Sequence, residues 1–179
     1  TGITTLFVTH DQEEAMSISD RIVVMKEGVL MQEGAPQQVY DDPHSLFVAK
    51  FLGTPPINVL EGRVEQGRLL LGEQDVLPVP GAPEGPVTVG IRPEGFLPRE
   101  DGPFRCGLQR VEVLGRDTSV VCTHPACQGA TLRAIIRPEE RVDAGSAVAA
   151  FALRPEKVFL FHKETEERLP FTVSGKGVV

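Results

Sequence analysis

The chain opens on a continuous apolar run, Leu6-Phe7-Val8 within residues 4–9, without the alternation of a half-exposed strand. Runs of this kind suit a parallel sheet covered on both faces, which predicts a strand with His10 at its C-terminal end. Asp11, with Glu14 three residues later, predicts an N-cap and capping pair opening a helix to about Ile18. Residues 22–25 and 29–33 read as paired strands turning at Lys26-Glu27-Gly28. Pro36 suits the first turn of a helix to Tyr40, which Asp41-Asp42-Pro43 ends. Residues 44–51 predict a further short helix, with Phe47 and Phe51 four apart and expected in the core. Gly53-Thr54-Pro55-Pro56 breaks any regular element and marks a linker.

Beyond it the period changes. Residues 59–65 alternate, turn at Gln66-Gly67 and return as 68–71, a hairpin pattern. Further strands are expected at 87–92, 104–114, 118–123, 131–136, 147–153 and 158–161. Seven or eight short strands between Gly/Pro turns suggest a small barrel. The expected fold class is α+β. It comprises an α/β remnant over 1–52, a linker over 53–56, a mainly β domain over 57–170 and a flexible tail over 171–179.

Composition narrows the function. With 179 residues, 41% hydrophobic and 24% charged, the chain is of globular type, and its 15 Pro and 18 Gly fit many turns. Thr1-Gly2-Ile3 shows neither an initiator Met nor a signal peptide and reads as the interior of a longer chain. The net charge of −7 divides into −5 over residues 1–52 (three Lys/Arg, eight Asp/Glu) and −2 over 53–179 (15 and 17). A nucleic-acid partner, which calls for a basic stripe and stacking aromatics, is not expected from a barrel that is mildly acidic and has no Trp or Tyr. Three cysteines speak against a disulfide framework and for a reducing compartment. Cys122, His124 and Cys127 have metal-like spacing but no evident fourth ligand, so no metal is expected.

Arg-Pro-Glu occurs at 92–94, 137–139 and 154–156. Turn chemistry explains all three, with Pro ending a strand beside an exposed Arg–Glu pair. An interface or ligand corner at Arg92 and a diverged internal repeat are the competing readings. The acidic run 164–167 reads as a solvated turn.

Several of these segments together resemble a known family. "TTLFVTHDQEEAMSISDRIVVMKEGVLMQEGAPQQVYDDP" and "VAKFLGTPPINVLEG" resemble the end of the ATP-binding subunit of ABC importers, of the kind that energises uptake of sugars and related solutes. "VGIRPE", "VEVLGRDTSVV" and "LRPEKVFLFHKETEERL" resemble that family's transport-associated OB-like domain. The likeness runs to about Leu169, while residues 74–88 and the loop 98–103 match nothing in it. The resemblance implies an OB-like regulatory barrel and identifies His10 with the family's switch histidine, a catalytic residue that contacts the γ-phosphate of ATP. It implies ATP and Mg2+ as cofactors of the full-length parent, but none in these residues alone. Neither a phosphate-loop run G-x-x-x-x-G-K-[ST] nor a Ser-Gly-Gly-Gln-type signature occurs. Partners implied are a second copy of the ATPase subunit, the transporter's membrane subunits and a regulatory protein on the OB-like domain. The implied place is the cytoplasmic face of the cell membrane. The alternative is a non-enzymatic OB-like module sensing a small oxyanion, which needs convergent donors where the sequence shows only scattered arginines. With its apolar strand uncovered, the segment 1–52 is expected to self-associate or to stay mobile.

Overall fold

The computed structural model describes residues 2–173 and, as backbone, 176–178. Residues 2–9 form no strand, and Ile3, Leu6, Phe7 and Val8 are all more than half exposed. This corrects the expectation for 4–9. A central strand exists only where neighbours take its backbone groups and cover its faces, and no described segment lies beside this one.

Helix α1 (Gln12–Ile18) follows, then the antiparallel pair β1 (Ile22–Lys26) and β2 (Val29–Gly34), joined through Glu27 and Gly28 at positive φ. Two six-residue helices, α2 (Pro36–Asp41) and α3 (Leu46–Phe51), complete this portion. Ile22, Val24, Val39, Val48 and Leu52 form its small core. Phe47 packs against that core and stacks on Phe51 at 5.9 Å, but Phe51 is 43% exposed and is not a core residue. Spacing alone put both rings inside; α3 has only six residues, and its buried sides are occupied by Leu46, Val48 and Ala49.

The rest is a barrel-like β domain. One sheet has the order β13-β12-β6-β3-β4-β5, built from β3 (Asn58–Glu65), β4 (Arg68–Leu71), β5 (Gln74–Pro78), β6 (Gly85–Ile91), β12 (Val158–Phe161) and β13 (Arg168–Leu169). The other has the order β10-β9-β8-β11-β7, from β7 (Phe96–Pro98), β8 (Phe104–Leu114), β9 (Asp117–Thr123), β10 (Leu132–Ile136) and β11 (Val148–Leu153). Strands β5, β7 and β13 are additions to the predicted set: they are short, and β5 carries no alternation that singles it out. Thr172–Val173 pairs with Lys176–Val178, and Phe171 and Val173 are buried, so ordered structure runs past 170. The remainder of the expected tail, residues 174, 175 and 179, lies outside the described residues.

Two strands change sheets at tight 3-10 corners, a device that closes stacked sheets into a barrel. β6 turns through Pro93–Gly95 into β7, and β11 turns through Pro155–Lys157 into β12. The corners interlock reciprocally: Arg92 N donates to Lys157 O (3.0 Å) and Arg154 N to Gly95 O (2.8 Å). Two of the three Arg-Pro-Glu runs are therefore matched corners, and the third, at 137–139, is a plain turn. The seam beside β3 is closed by the buried Asn58 side chain, which donates to Ile91 O (3.1 Å) and Arg133 O (2.9 Å) and accepts from Arg133 N (2.8 Å). Cys106 and Cys122 lie in the barrel core, where the Cys122 hydrogen bond and burial raise the Cys106 thiol pKa.

All four residues of β12 are buried, although a barrel strand should alternate. Val158 and Leu160 face the barrel core, while Phe159 and Phe161 face outward onto Leu46 and Ala49 of α3. The helical portion thus covers one outer face of the barrel. Phe159→Ala should lower the unfolding free energy by about 3–5 kcal/mol. Leu6→Ala should change it by less than about 0.5 kcal/mol. Urea unfolding of the two variants measures both.

Candidate functional site

His10 sits exposed in the bend before α1. The local network forms around it and does not include it. Glu14 N donates to Asp11 Oδ1 (3.0 Å), Asp11 N to Thr9 Oγ1 (3.0 Å), and Thr9 Oγ1 to Glu14 Oε2 (3.3 Å). Asp11 is the predicted N-cap, but Glu14 reaches Thr9 and not the Asp11 amide, so the reciprocal box is replaced by a three-residue ring. Asp11, Glu13 and Glu14 make the surroundings acidic. These residues alone do not fit a nucleoside triphosphate and its metal, because among the described residues no ion pair or hydrogen bond involves the imidazole and a side chain takes a helix-opening amide.

Cys122, His124 and Cys127 border the same core but form no cluster of possible metal ligands among the described residues. Cys122 is in the barrel core, His124 stacks on Phe104 at 4.9 Å, and Cys127 Sγ donates to Thr131 O (3.6 Å). Burial lowers the His124 pKa below its usual value.

The strongest concentration of polar chemistry lies where the helices meet the barrel, around Arg92. Its side chain is fully buried, which corrects the expectation of an exposed Arg–Glu pair. Nη1 donates to Ala49 O (2.8 Å) and Leu52 O (2.6 Å), and Nη2 to Tyr40 O (2.9 Å). These carbonyls end α3 and α2, where helices leave acceptors without internal partners and carry partial negative charge. The guanidinium also lies 3.9 Å from the Tyr40 ring centroid. Burial lowers its pKa, opposed by Tyr40, Glu94 and Asp41. Gly53 fits beside it at φ +111, where a Cβ would stand 2.9 Å from the Tyr40 ring.

A second layer surrounds this cation. Tyr40 Oη donates to Glu94 Oε1 (2.9 Å), and Lys157 Nζ lies 3.0 Å from Asp41 Oδ1 and 3.4 Å from Glu94 Oε1. Burial, then the Glu94 charge, raises the Tyr40 pKa far enough to keep its hydroxyl a donor. Burial raises the Asp41 pKa, but hydrogen bonds from Gln37 and Lys157 outweigh it, and the net shift is downward. Arg168 Nη1 donates to Pro43 O (2.9 Å) and Asp42 Oδ1 (3.3 Å), with its guanidinium 4.5 Å from the Phe159 ring. Burial pulls its pKa down to about 10, opposed by Asp42. The acidic turn 164–167 keeps its side chains exposed, while the Glu166 carbonyl accepts from Leu46 N (2.9 Å) at the start of α3.

Sequence reasoning found the Arg92 segment but missed Tyr40, Asp41, Asp42, Lys157 and Arg168. The one signal on offer was composition: Tyr40 is the only Tyr, and two Asp follow it directly. What the site does is mechanical. It fixes the helices to the barrel through cations that each hold acceptors from another part of the chain.

Residues 58–96 match the CysA C-terminal regulatory domain family. The chain is 36% identical to the sn-glycerol-3-phosphate import ATP-binding protein UgpC of Ruegeria pomeroyi, over 94% of this chain and 47% of that protein. It is 38% identical to the sulfoquinovosyl glycerol transport ATP-binding protein SmoE of Agrobacterium fabrum, over 94% and 49%. With UgpC of Chromobacterium violaceum it shares 35% identity, over 97% and 48%. Along nearly its whole length the chain is a homologue of import ATP-binding proteins, and residues 58–96 resemble their C-terminal regulatory domain. It spans about half the length of the curated relatives it matches.

Arg92→Ala would leave three carbonyls without their donor and should lower the unfolding free energy by about 3 kcal/mol. Arg92→Lys should recover part of that loss, since an ammonium replaces the charge but not the fork. Urea denaturation of both variants checks this. Asp41 binds its proton less readily folded than unfolded, where its value is 3.8. Its contribution is therefore complete above that pH and fades as pH falls through the lower folded value. The midpoint of thermal unfolding should drop more steeply below about pH 4 in the parent than in Asp41→Asn.

Proposed function

We propose that the chain is the C-terminal part of the ATP-hydrolysing subunit of an importer for a small sugar-like or glycerol-phosphate-like solute. The homology to import ATP-binding proteins over nearly the whole chain carries this reading. In it, residues 1–52 end a nucleotide-binding domain, 53–56 link, and 57–170 form an OB-like domain with a regulatory and dimer-contact role.

Two structural features support the division. Ile3, Leu6, Phe7 and Val8, with Val23, Met25, Val29 and Leu30 of the β1–β2 pair, expose apolar surface that a larger α/β domain would cover. The barrel, by contrast, has a complete core of its own. The buried Arg92 joint ties the two portions together, which fits a regulatory domain acting on an ATPase. No described helix is long and apolar enough to cross a membrane. The proposed place is the cytoplasmic face of the membrane, beside membrane subunits and a second ATPase copy.

His10 is proposed as the switch histidine, acting on ATP and magnesium held by parts of the whole protein outside this chain. Phosphoryl transfer depends on positioning and electrostatics, so one imidazole at the phosphate end matters while contributing nothing to folding. In the whole protein, His10→Ala should reduce ATP hydrolysis about 100-fold or more, with a thermal midpoint equal to the parent's showing that the variant is folded. Unaltered hydrolysis rejects the role. Reading the coding DNA upstream of Thr1 tests the larger claim, which an in-frame stop without a phosphate-loop motif would overturn.

A further inference from the structure

Leu52 caps the C-terminal end of α3, and the peptide unit that joins it to Gly53 is gripped at both of its polar groups. The Leu52 carbonyl accepts from Arg92 Nη1 at 2.6 Å. Gly53 N donates to Oε1 of Gln12, also at 2.6 Å, across 41 positions of sequence. A trans peptide points its C=O and N–H in opposite directions, so this one plane lies between the barrel corner on one side and α1 on the other. Glycine permits the plane its orientation, since residue 53 has φ +111. Hydrogen bonds in a chain polarise one another, so each contact strengthens the other.

Helix α1 has little else to hold it. It buries no residue, and only Ala15 and Met16 pack partly against the small core of the helical portion. Seven residues are too few for independent helical stability. Among the described residues, the Gln12–Gly53 bond is the one hydrogen bond that residues 9–18 make outside their own segment.

Gln12 is the first residue of α1, two positions after His10. Thr9 and Asp11, on either side of His10, belong to the ring of hydrogen bonds that closes on Glu14 in the first turn. The backbone of His10 is therefore carried by that turn, and Gln12 fastens the turn to the Leu52–Gly53 peptide.

We propose that Gln12 is a positioning residue for His10. Its side-chain oxygen sets where the first turn of α1 stands, and so where the His10 imidazole is presented, against a peptide that Arg92 holds from the barrel side. This role rests on the reading of His10 as the switch histidine. Phosphoryl transfer depends on placement, and a displacement of about 1 Å can cost about 100-fold in rate.

Steady-state ATP hydrolysis by the whole protein tests the role. Gln12→Met keeps the length of the side chain and removes the acceptor. It should lower kcat about tenfold with KM for MgATP unchanged, because the histidine is misplaced while nucleotide binding is untouched. Gln12→Glu keeps an oxygen for the Gly53 amide and should recover most of the rate. In a His10→Ala background, Gln12→Met should cost nothing further, since a residue acting through His10 has nothing left to place. In the 179-residue chain, the Gly53 amide should exchange with solvent at least about tenfold faster in Gln12→Met than in the parent. Equal thermal midpoints show that both are folded.

A parental rate in Gln12→Met overturns the proposal, as does a raised KM with kcat unchanged. So does a loss in Gln12→Glu as deep as in Gln12→Met, the same fractional loss with and without His10, or unchanged exchange at Gly53. If His10→Ala itself hydrolyses ATP as the parent does, the switch-histidine reading fails and takes this role with it. An impaired His10→Ala beside an unimpaired Gln12→Met overturns the role of Gln12 alone.

Discussion

A guanidinium shut away from water must find its acceptors inside the protein, and Arg92 finds them at the ends of two helices. Helices of six residues have no independent stability, and their last carbonyls lack internal donors. Arg92 supplies those donors from the first barrel corner. The helices need the barrel to end where they do, and the arginine needs the helices to remain charged and buried. Removing either side leaves desolvated polar groups unsatisfied, the situation proteins tolerate least. The interface is therefore specified by geometry as well as by apolar contact, since an oily patch such as Phe159 and Phe161 would allow sliding. The Asp41–Lys157–Glu94 and Asp42–Arg168 contacts repeat the arrangement at the margin. They are more exposed and individually weaker, but they act on the same two helices.

The same corner completes the barrel. Prolines at 93 and 155 follow the last strand residues, so neither strand continues in its original sheet. The reciprocal bonds between Arg92 and Lys157 and between Arg154 and Gly95 take up backbone groups left free by the turns. The two corners have related sequences, yet their arginines differ. Arg154 reaches Glu140 at 3.0 Å within the barrel, whereas the helices cover the first corner and draw Arg92 into the interface. What packs over each corner decides between an ordinary ion pair and a buried joint.

This difference marks what the chain discloses in one dimension. The hairpin of β3 and β4 and the strands from β8 to β12 follow from period and turn residues, which act over a few positions. The order and spacing of motifs from residue 4 to about Leu169 indicate the importer family. Arg92, by contrast, looks like Arg137 and Arg154, because burial is imposed by residues 40 or more positions away. The apolar run at Leu6–Val8 reads as a strand since its composition is that of one, but a strand is a relation between segments. Phe159 and Phe161 show the same limit: an unbroken apolar run in a barrel signals a second layer outside, and only the fold shows that α3 is that layer.

Strands β7 and β11 also run between an outer cleft of the barrel and the joint. β7 runs from the Gly95 corner towards Arg99, and β11 runs from Ala150 towards the Arg154 corner. The two are paired at Phe151–Pro98, Ala152–Leu97 and Leu153–Phe96. The near ends carry Arg92, Glu94 and Lys157, which grip α2 and α3. The two paired strands therefore lie between the wall of the cleft and the corners that hold the helix ends. At those corners the buried guanidinium holds the helix ends through three carbonyl acceptors, which would be left without a donor inside the protein if the corner and the helices parted.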